Sequence, residues 1–264
     1  MTSPALSRDA LLADIERYYD AVPRPVAEAE DVGPFTLFVV EEGTGWQFYA
    51  RPRLGGQDEF TADDVRRVLE RQVERGVPRA IEWVHETTPS LLAAVREATA
   101  GLEGVELQEC PLLHLPTDVD VADDDRVRVL GPDDPDLATV TSVIHAGFEE
   151  SDEVTDRPVG RRPDLVREGI LVIAAAYVDG QVAGGGSSAP RGDGAELMGI
   201  AVPPRFRRQG LGAGITRGLV RAVRERGART VLLSAASDGA ASIYRQVGFV
   251  DVGTACILEV SDAG

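Results

Sequence analysis

Two short stretches of this 264-residue chain gather the residues able to do chemistry. In the first, Val202-Pro-Pro leads into Arg205-Phe-Arg-Arg-Gln-Gly210-Leu-Gly212, and an apolar-periodic segment that reads as a helix follows. A glycine turn that opens a helix is an anion site. The first-turn N–H groups, here those of Leu211, Gly212 and Ala213, have no partner inside the helix, and the positive end of the dipole lies there. Gly210 and Gly212 allow close approach of the backbone, while Arg207 and Arg208 add charge. The turn lacks the Gly-Lys-Ser/Thr of a nucleotide P-loop, and the third glycine of a dinucleotide fingerprint would fall at Ile215. The second stretch, Asp238-Gly-Ala-Ala-Ser-Ile-Tyr244-Arg-Gln-Val-Gly248-Phe249, reads as a short helix carrying a tyrosine and closing on Gly-Phe.

Upstream of the glycine turn, an extended run over Ala195–Val202 begins with a carboxylate. A strand alternates faces, so Glu196, Met198, Ile200 and Val202 are expected on one side. Glu196 there is either a base or a solvated strand start.

Together the two stretches resemble the acyl-CoA site of the GCN5-related N-acetyltransferase (GNAT) family. The family's Arg/Gln-x-x-Gly-x-Gly/Ala is matched by Arg207-Arg208-Gln209-Gly210-Leu211-Gly212, and its Asn-x-x-Ala-x-x-Tyr-x-x-x-Gly-Phe by Asp238 to Phe249, with aspartate in place of asparagine. The resemblance implies acetyl-CoA as cosubstrate and a primary amine as acceptor, joined by direct attack in a ternary complex. It implies that Glu196 is the general base and Tyr244 the acid for the leaving thiolate, with a packing tyrosine as the alternative. The backbone of Ile200, Ala201 and Val202 would pair with the pantetheine arm. Asp238 would cap the tyrosine helix and reach the same arm, although a carboxylate cannot donate the hydrogen bond that asparagine can. A reading from another class is a non-catalytic acyl-CoA sensor or scaffold module.

The elements that must position these residues follow from periodicity and punctuation. In the second half they are a strand Val127–Leu130, a helix Pro135–Phe148, a shorter helix Pro163–Glu168, a hairpin Leu171–Val178 and Val182–Ala189 about Asp179-Gly180, the strand Ala195–Val202, a helix Gly212–Arg226, a strand Thr230–Ser234, a helix Gly239–Val247 and a strand Val250–Val260. That order is α+β, and with the resemblance it implies a GNAT fold, a mixed but mostly antiparallel sheet flanked by helices. The first half reads as a helix Ser7–Asp20, strands Phe35–Val40 and Trp46–Ala50 across a Gly-Thr-Gly turn, a helix from Thr61 to Arg75, a strand Ala80–Val84, a helix Pro89–Thr99 and an extended Val105–Leu115. The acidic Pro116–Asp125 separates the halves, giving domains 1–117 and 126–264. Pro111-Leu-Leu-His-Leu115 echoes Cys256-Ile-Leu-Glu-Val260. The first half is therefore expected to be a degenerate, truncated GNAT-like domain with no cofactor motif.

A net charge of −17 opposes a nucleic-acid partner; it suits a cationic acceptor, a small molecule or a peptide amine, and is equally what keeps a protein in solution. The segment His145–Asp156, with Glu149, Glu150, Asp152 and Glu153, is the candidate acceptor wall; a solvated acidic loop is the alternative. No apolar run approaches the ~18 residues of a membrane span, and no basic leader is present, so no membrane partner and a cytoplasmic location are expected. Cys110 and Cys256 read as buried thiols, and three scattered histidines suggest no metal. Monomer and homodimer both stay open.

Overall fold

The computed structural model describes residues 7–40, 49–56 and 59–261. It divides into two compact units, one of residues 1–112 with 252–264 and the other of residues 113–251.

The first unit holds α1 (Arg8–Ala21), β1 (Ala27–Val32), β2 (Phe35–Val40), β3 (Ala50–Pro52), α2 (Ala62–Arg75), β4 (Arg79–Val84), α3 (Pro89–Ala98), most of β5 (Val105–Leu115) and most of β11 (Val250–Val260). Its strands lie in the order β1-β2-β3-β4-β11-β5, with only β3 and β4 parallel among the pairings resolved here. The core joins Phe35, Leu37, Val65, Ile81, Trp83 and Leu258. Helix α2 forms because Val65, Val68, Leu69 and Gln72 recur on one face, and a capping box starts it: Thr61 Oγ1 accepts from the Asp64 N–H while the Asp64 carboxylate accepts from the Thr61 N–H. On the sheet, Arg51 donates to Glu82 at 2.8 Å and stacks 3.9 Å over the Tyr19 ring, while burial raises the Glu82 carboxyl above its ordinary pKa.

Strand β1 was not expected. Ala27-Glu-Ala-Glu-Asp-Val has almost no β-branched content, but its backbone pairs in register with β2 at an exposed edge, and Glu28 and Glu30 meet Arg75 and Arg71. The expected Gly-Thr-Gly turn and residues 46–48 of the strand Trp46–Ala50 lie outside the described residues. The described strand, β3, begins at Ala50.

The second unit holds β6 (Val127–Val129), α4 (Asp136–Phe148), α5 (Arg162–Arg167), β7 (Val172–Val178), β8 (Gln181–Ser188), β9 (Gly194–Ala201), a 3-10 turn Pro204–Phe206, α6 (Leu211–Glu225), β10 (Thr230–Ser234) and α7 (Asp238–Val247). Strand order is β10-β9-β8-β7-β6, with only β9 and β10 parallel among these pairs. This is the mostly antiparallel α+β sheet that the element order implied. Gly184-Gly-Gly186 lies inside β8. A Cβ on Gly185 would sit 2.3 Å from Val140 of α4, and one on Gly186 2.8 Å from Ile200, so the run lets elements close on both faces.

The boundary differs from the expected one at both ends. The first unit gives up the chain at Leu112, and Leu113 and Leu115 join the core of the second. Strand β11, expected to close domain 126–264, belongs with the first unit because it pairs antiparallel with β4 from Ala255↔Val84 to Val260↔Arg79. The acidic run before β6 is more than a solvated spacer, since the Asp124 side chain is only 8% exposed and accepts from Arg126 and Arg217.

Candidate functional site

Gly210, at φ 76°, is the N-cap of α6 and offers no side-chain cap; the first turn carries no acidic residue. Arg208 is also left-handed, at φ 60°. The helix is pinned from behind by Ile215, Leu219, Val220 and Val223 in the core, so its N-terminal amides project from a fixed frame. A Cβ on Gly214 would lie 2.5 Å from the Asp124 carboxylate, and one on Gly218 2.7 Å from Val127, which brings the chain before β6 hard against α6. From there Arg126 donates to the Gln209 carbonyl at 2.9 Å and braces the loop. The Arg126 hydrogen bond, opposed by desolvation and helped by the charge of Arg217, lowers the Asp124 pKa. Sequence reading missed Arg126, and nothing in its local pattern marks it: its role comes from contact with a loop more than eighty positions away.

Beside this cradle, β9 and β10 part. Their parallel register runs from Gly194↔Thr230 only to Glu196↔Leu232, although β9 continues to Ala201 and β10 to Ser234. The residues beyond line a cavity of about 810 Å³. Main-chain groups of β9 on that side are left without a neighbouring strand, which suits a ligand that carries amides.

The expected single face for Glu196, Met198, Ile200 and Val202 is corrected by a β-bulge. Gly199 has φ 63°, and between the pairs Gly185↔Ala201 and Ser187↔Met198 strand β9 has one residue more than β8. Ala195 and Leu197 face the α6-side core, yet so do Ile200 and Val202. Glu196 and Met198 therefore lie on the opposite face, the one covered by α4.

Tyr244 of α7 lines the cavity, and its ring meets Phe249 edge-on at 6.3 Å. Burial raises its phenol pKa, so it holds its proton at neutral pH. The cap of α7 is Ser237, which accepts from the Ala240 N–H at 3.2 Å, and not Asp238. Asp238 stands 89% exposed, 3.5 Å from Arg245, and does not line the cavity. With serine one position earlier, the carboxylate is free to turn to solvent.

Glu196 and Tyr244 thus face one cavity, together with Ile200, Ala201 and Val202. From the cradle, Arg207, Arg208, Gly210, Leu211 and Gly212 also line it, whereas Gln209 and Ala213 do not. Arg207 is not a spare phosphate ligand: it donates to the Val202 and Gly147 carbonyls and forks onto Glu150 at 2.6 and 3.0 Å. The acidic segment is correspondingly engaged. Glu149 lies 2.8 Å from His145 Nε2, Asp152 accepts from the Arg205 N–H at 2.8 Å, and Glu153 is exposed away from the cavity. Of the four carboxylates only Glu150 lines the cavity, and its oxygens are held by Arg207. Gly147 and Phe148, from the segment proposed as the acceptor wall, line it through residues other than its carboxylates, and Ile243 lines it without having been singled out in the sequence.

Among the described residues no group of three or more His, Cys, Asp or Glu could hold a metal ion, and no helix is long and apolar enough to cross a membrane. Cys110 and Cys256 are buried and unpaired, and burial pushes the Cys256 thiol up to about 12.

Residues 139–249 match the model of the acetyltransferase (GNAT) family. No curated protein matches the chain. Among solved structures, a GCN5-related N-acetyltransferase from Kribbella flavida is similar at 21% identity and TM-score 0.67, over 99% of this chain and 98% of that one. A GCN5-related N-acetyltransferase-like protein from Streptococcus suis 89/1591 is similar at 12% identity and TM-score 0.58, over 97% and 100%. A putative acetyltransferase of the GNAT family from Novosphingobium aromaticivorans DSM 12444 is similar at 19% identity and TM-score 0.54, over 90% and 92%. At these identities the likeness is one of fold.

Proposed function

We propose that the GNAT acetyltransferase domain formed by residues 139–249 moves an acetyl group from acetyl-CoA to a primary amine within a ternary complex. One observation carries this reading: the uncapped N-terminus of α6, the unpaired edge of β9 and the Tyr244 phenol open into a single cavity. A diphosphate seats on the N–H groups of Leu211, Gly212 and Ala213, with Arg208 adding charge. Arg207 shapes the loop through Glu150 and the two carbonyls instead of touching phosphate. The pantetheine amides pair with the main chain of Ile200, Ala201 and Val202, which leads the thioester toward Tyr244.

An ammonium has no lone pair, so the acceptor first gives a proton to Glu196, directly or through water. Its nitrogen then attacks the thioester carbonyl carbon. A C–N bond forms, the C–S bond breaks, and Tyr244 passes its proton to the departing sulfur; the second proton of the nitrogen leaves through water and restores the phenol, and Glu196 returns the first to solvent. An oriented strand N–H near the developing oxyanion contributes ~3 kcal/mol. The raised phenol pKa suits a donor that must stay protonated until the sulfur leaves. Asp238 takes no part.

Calorimetry with CoA, followed by thiol release from acetyl-CoA with and without amines, tests the proposal. Submicromolar to micromolar binding and amine-dependent release are expected. Binding without release under any amine would favour the sensor reading, and absence of binding would end both. The first unit is proposed to be a degenerate copy that lost its ligand; its element order α-β-β-β-α-β-α-β recurs in the second half once β6 and α5 are set aside.

A further inference from the structure

We propose that Arg126 is a positioning residue for the diphosphate of acetyl-CoA: it fixes the peptide between Gln209 and Gly210 so that the Gly210 N–H serves the cradle as one more donor. The proposal rests on the N-acetyltransferase reading and adds to its cofactor site a residue from outside the glycine motif.

The guanidinium is held in one orientation. Its Nε and Nη2 fork onto the two oxygens of Asp124 at 2.9 and 2.8 Å, and the Arg126 carbonyl accepts from the Tyr177 N–H at 2.8 Å. Asp124 is seated in turn. Its side chain is 8% exposed, it accepts from Arg217 at 3.2 Å, and a Cβ on Gly214 would come within 2.5 Å of it. With the fork engaged, the planar head presents Nη1 to the Gln209 carbonyl 2.9 Å away, and a Cβ on Gly210 would lie 3.9 Å from Nη2.

A trans peptide points its carbonyl and the N–H that follows in opposite directions. Since the Gln209 carbonyl turns to Arg126, the Gly210 N–H turns away from it. Gly210 lines the cavity, whereas Gln209 and Arg126 do not. Among the described residues that N–H has no backbone acceptor, while the Gly210 carbonyl is taken by the Gly214 N–H at 3.0 Å. The carbonyls on either side of the donor are thus both held, and it is oriented before any ligand arrives. Arg126 works through the peptide and not by touching phosphate.

The experiment measures CoA, dephospho-CoA and pantetheine binding by calorimetry, the last titrated into the millimolar range, in the native chain, Arg126→Met and Arg126→Lys. Arg126→Met is expected to weaken CoA and dephospho-CoA alike by about tenfold, as loss of one oriented donor to an anion requires, and to leave pantetheine within about twofold. Arg126→Lys keeps a charge beside Asp124 but cannot hold both the carboxylate and the carbonyl, so it should lose nearly as much; it also carries the test should Arg126→Met not fold. Full CoA affinity in Arg126→Lys overturns the proposal, because charge alone would then suffice. A loss confined to CoA overturns it in favour of direct contact with the 3′-phosphate, and an equal loss for pantetheine in favour of general loosening of the site. Native CoA affinity in both variants sinks this inference alone; no CoA binding by the native chain sinks the underlying reading.

Discussion

Helices α2 and α6 stand at the same place in the element order of their halves, and they begin in opposite ways. Helix α2 satisfies its own first turn: Thr61 and Asp64 cap each other's backbone, and Asp63 and Asp64 put negative charge at the positive end of the dipole. Helix α6 begins on a left-handed glycine with no side-chain cap and no acid. The difference extends to the adjoining strands. Ala50 of β3 and Ala195 of β9 each face a core and pair with a parallel neighbour, and the next residue is Arg51 in one case and Glu196 in the other. Arg51 is closed off by Glu82 and Tyr19, whereas Glu196 lines a cavity. Where side chains cap the backbone, as at α2, the first turn is satisfied from within; at α6 the same donors stay open to water or to a ligand.

The largest effect that would sharpen this contrast is chemical. Tyr244→Phe is expected to lower kcat about a thousandfold with CoA affinity unchanged, measured by thiol release and calorimetry. Equal turnover in the variant would reduce Tyr244 to a packing residue.

Asp124→Asn comes next. The wild-type carboxyl, with its folded pKa depressed by Arg126 and Arg217, contributes stability that is complete above its unfolded pKa of about 4 and fades as pH falls through the folded value. The variant should unfold about 3 kcal/mol more easily at pH 7 in urea and show a flatter acid limb. A parallel acid limb in both proteins would remove Asp124 from the account.

Gly212→Asp would give α6 the acid that α2 carries. A Cβ there meets nothing within 4 Å, so the substitution acts through charge. We expect roughly a hundredfold loss of CoA affinity, against a few-fold for Gly212→Asn. Equal losses would show the site to be steric. The smallest effect belongs to Thr61→Ala, which should cost about 1 kcal/mol of stability and confer no CoA binding.

Much of the second unit was legible because its signals are local. Asp179-Gly180 makes the turn that its residues demand, at φ 50° and 77°, and Leu137, Val140 and Val143 face inward from α4 as their spacing requires. The glycine cradle and the tyrosine helix also lie where the motifs put them. What failed depended on distant partners or on a single break in phase. A strict period of two hides the bulge at Gly199, and no local pattern tells that β11 would pair with β4 or that Arg207 would be claimed by Glu150. Asp238 was misassigned because a motif match weighed more than the serine beside it, the better cap by position. Strand β1 escaped because backbone pairing at an edge asks little of side chains.

Strand β11 lies between β4 and β5 in the sheet order of the first unit, although about 170 residues of chain separate Val84 from its partner Ala255. A ribosome adding roughly 5–20 residues per second leaves that gap open for on the order of ten seconds or more. Nascent chains arrested before Val250 are expected to be cut by protease within the first unit, and those released after Ser261 to resist. Synthesis therefore ends the wait: the portion made earliest is the one that matures last.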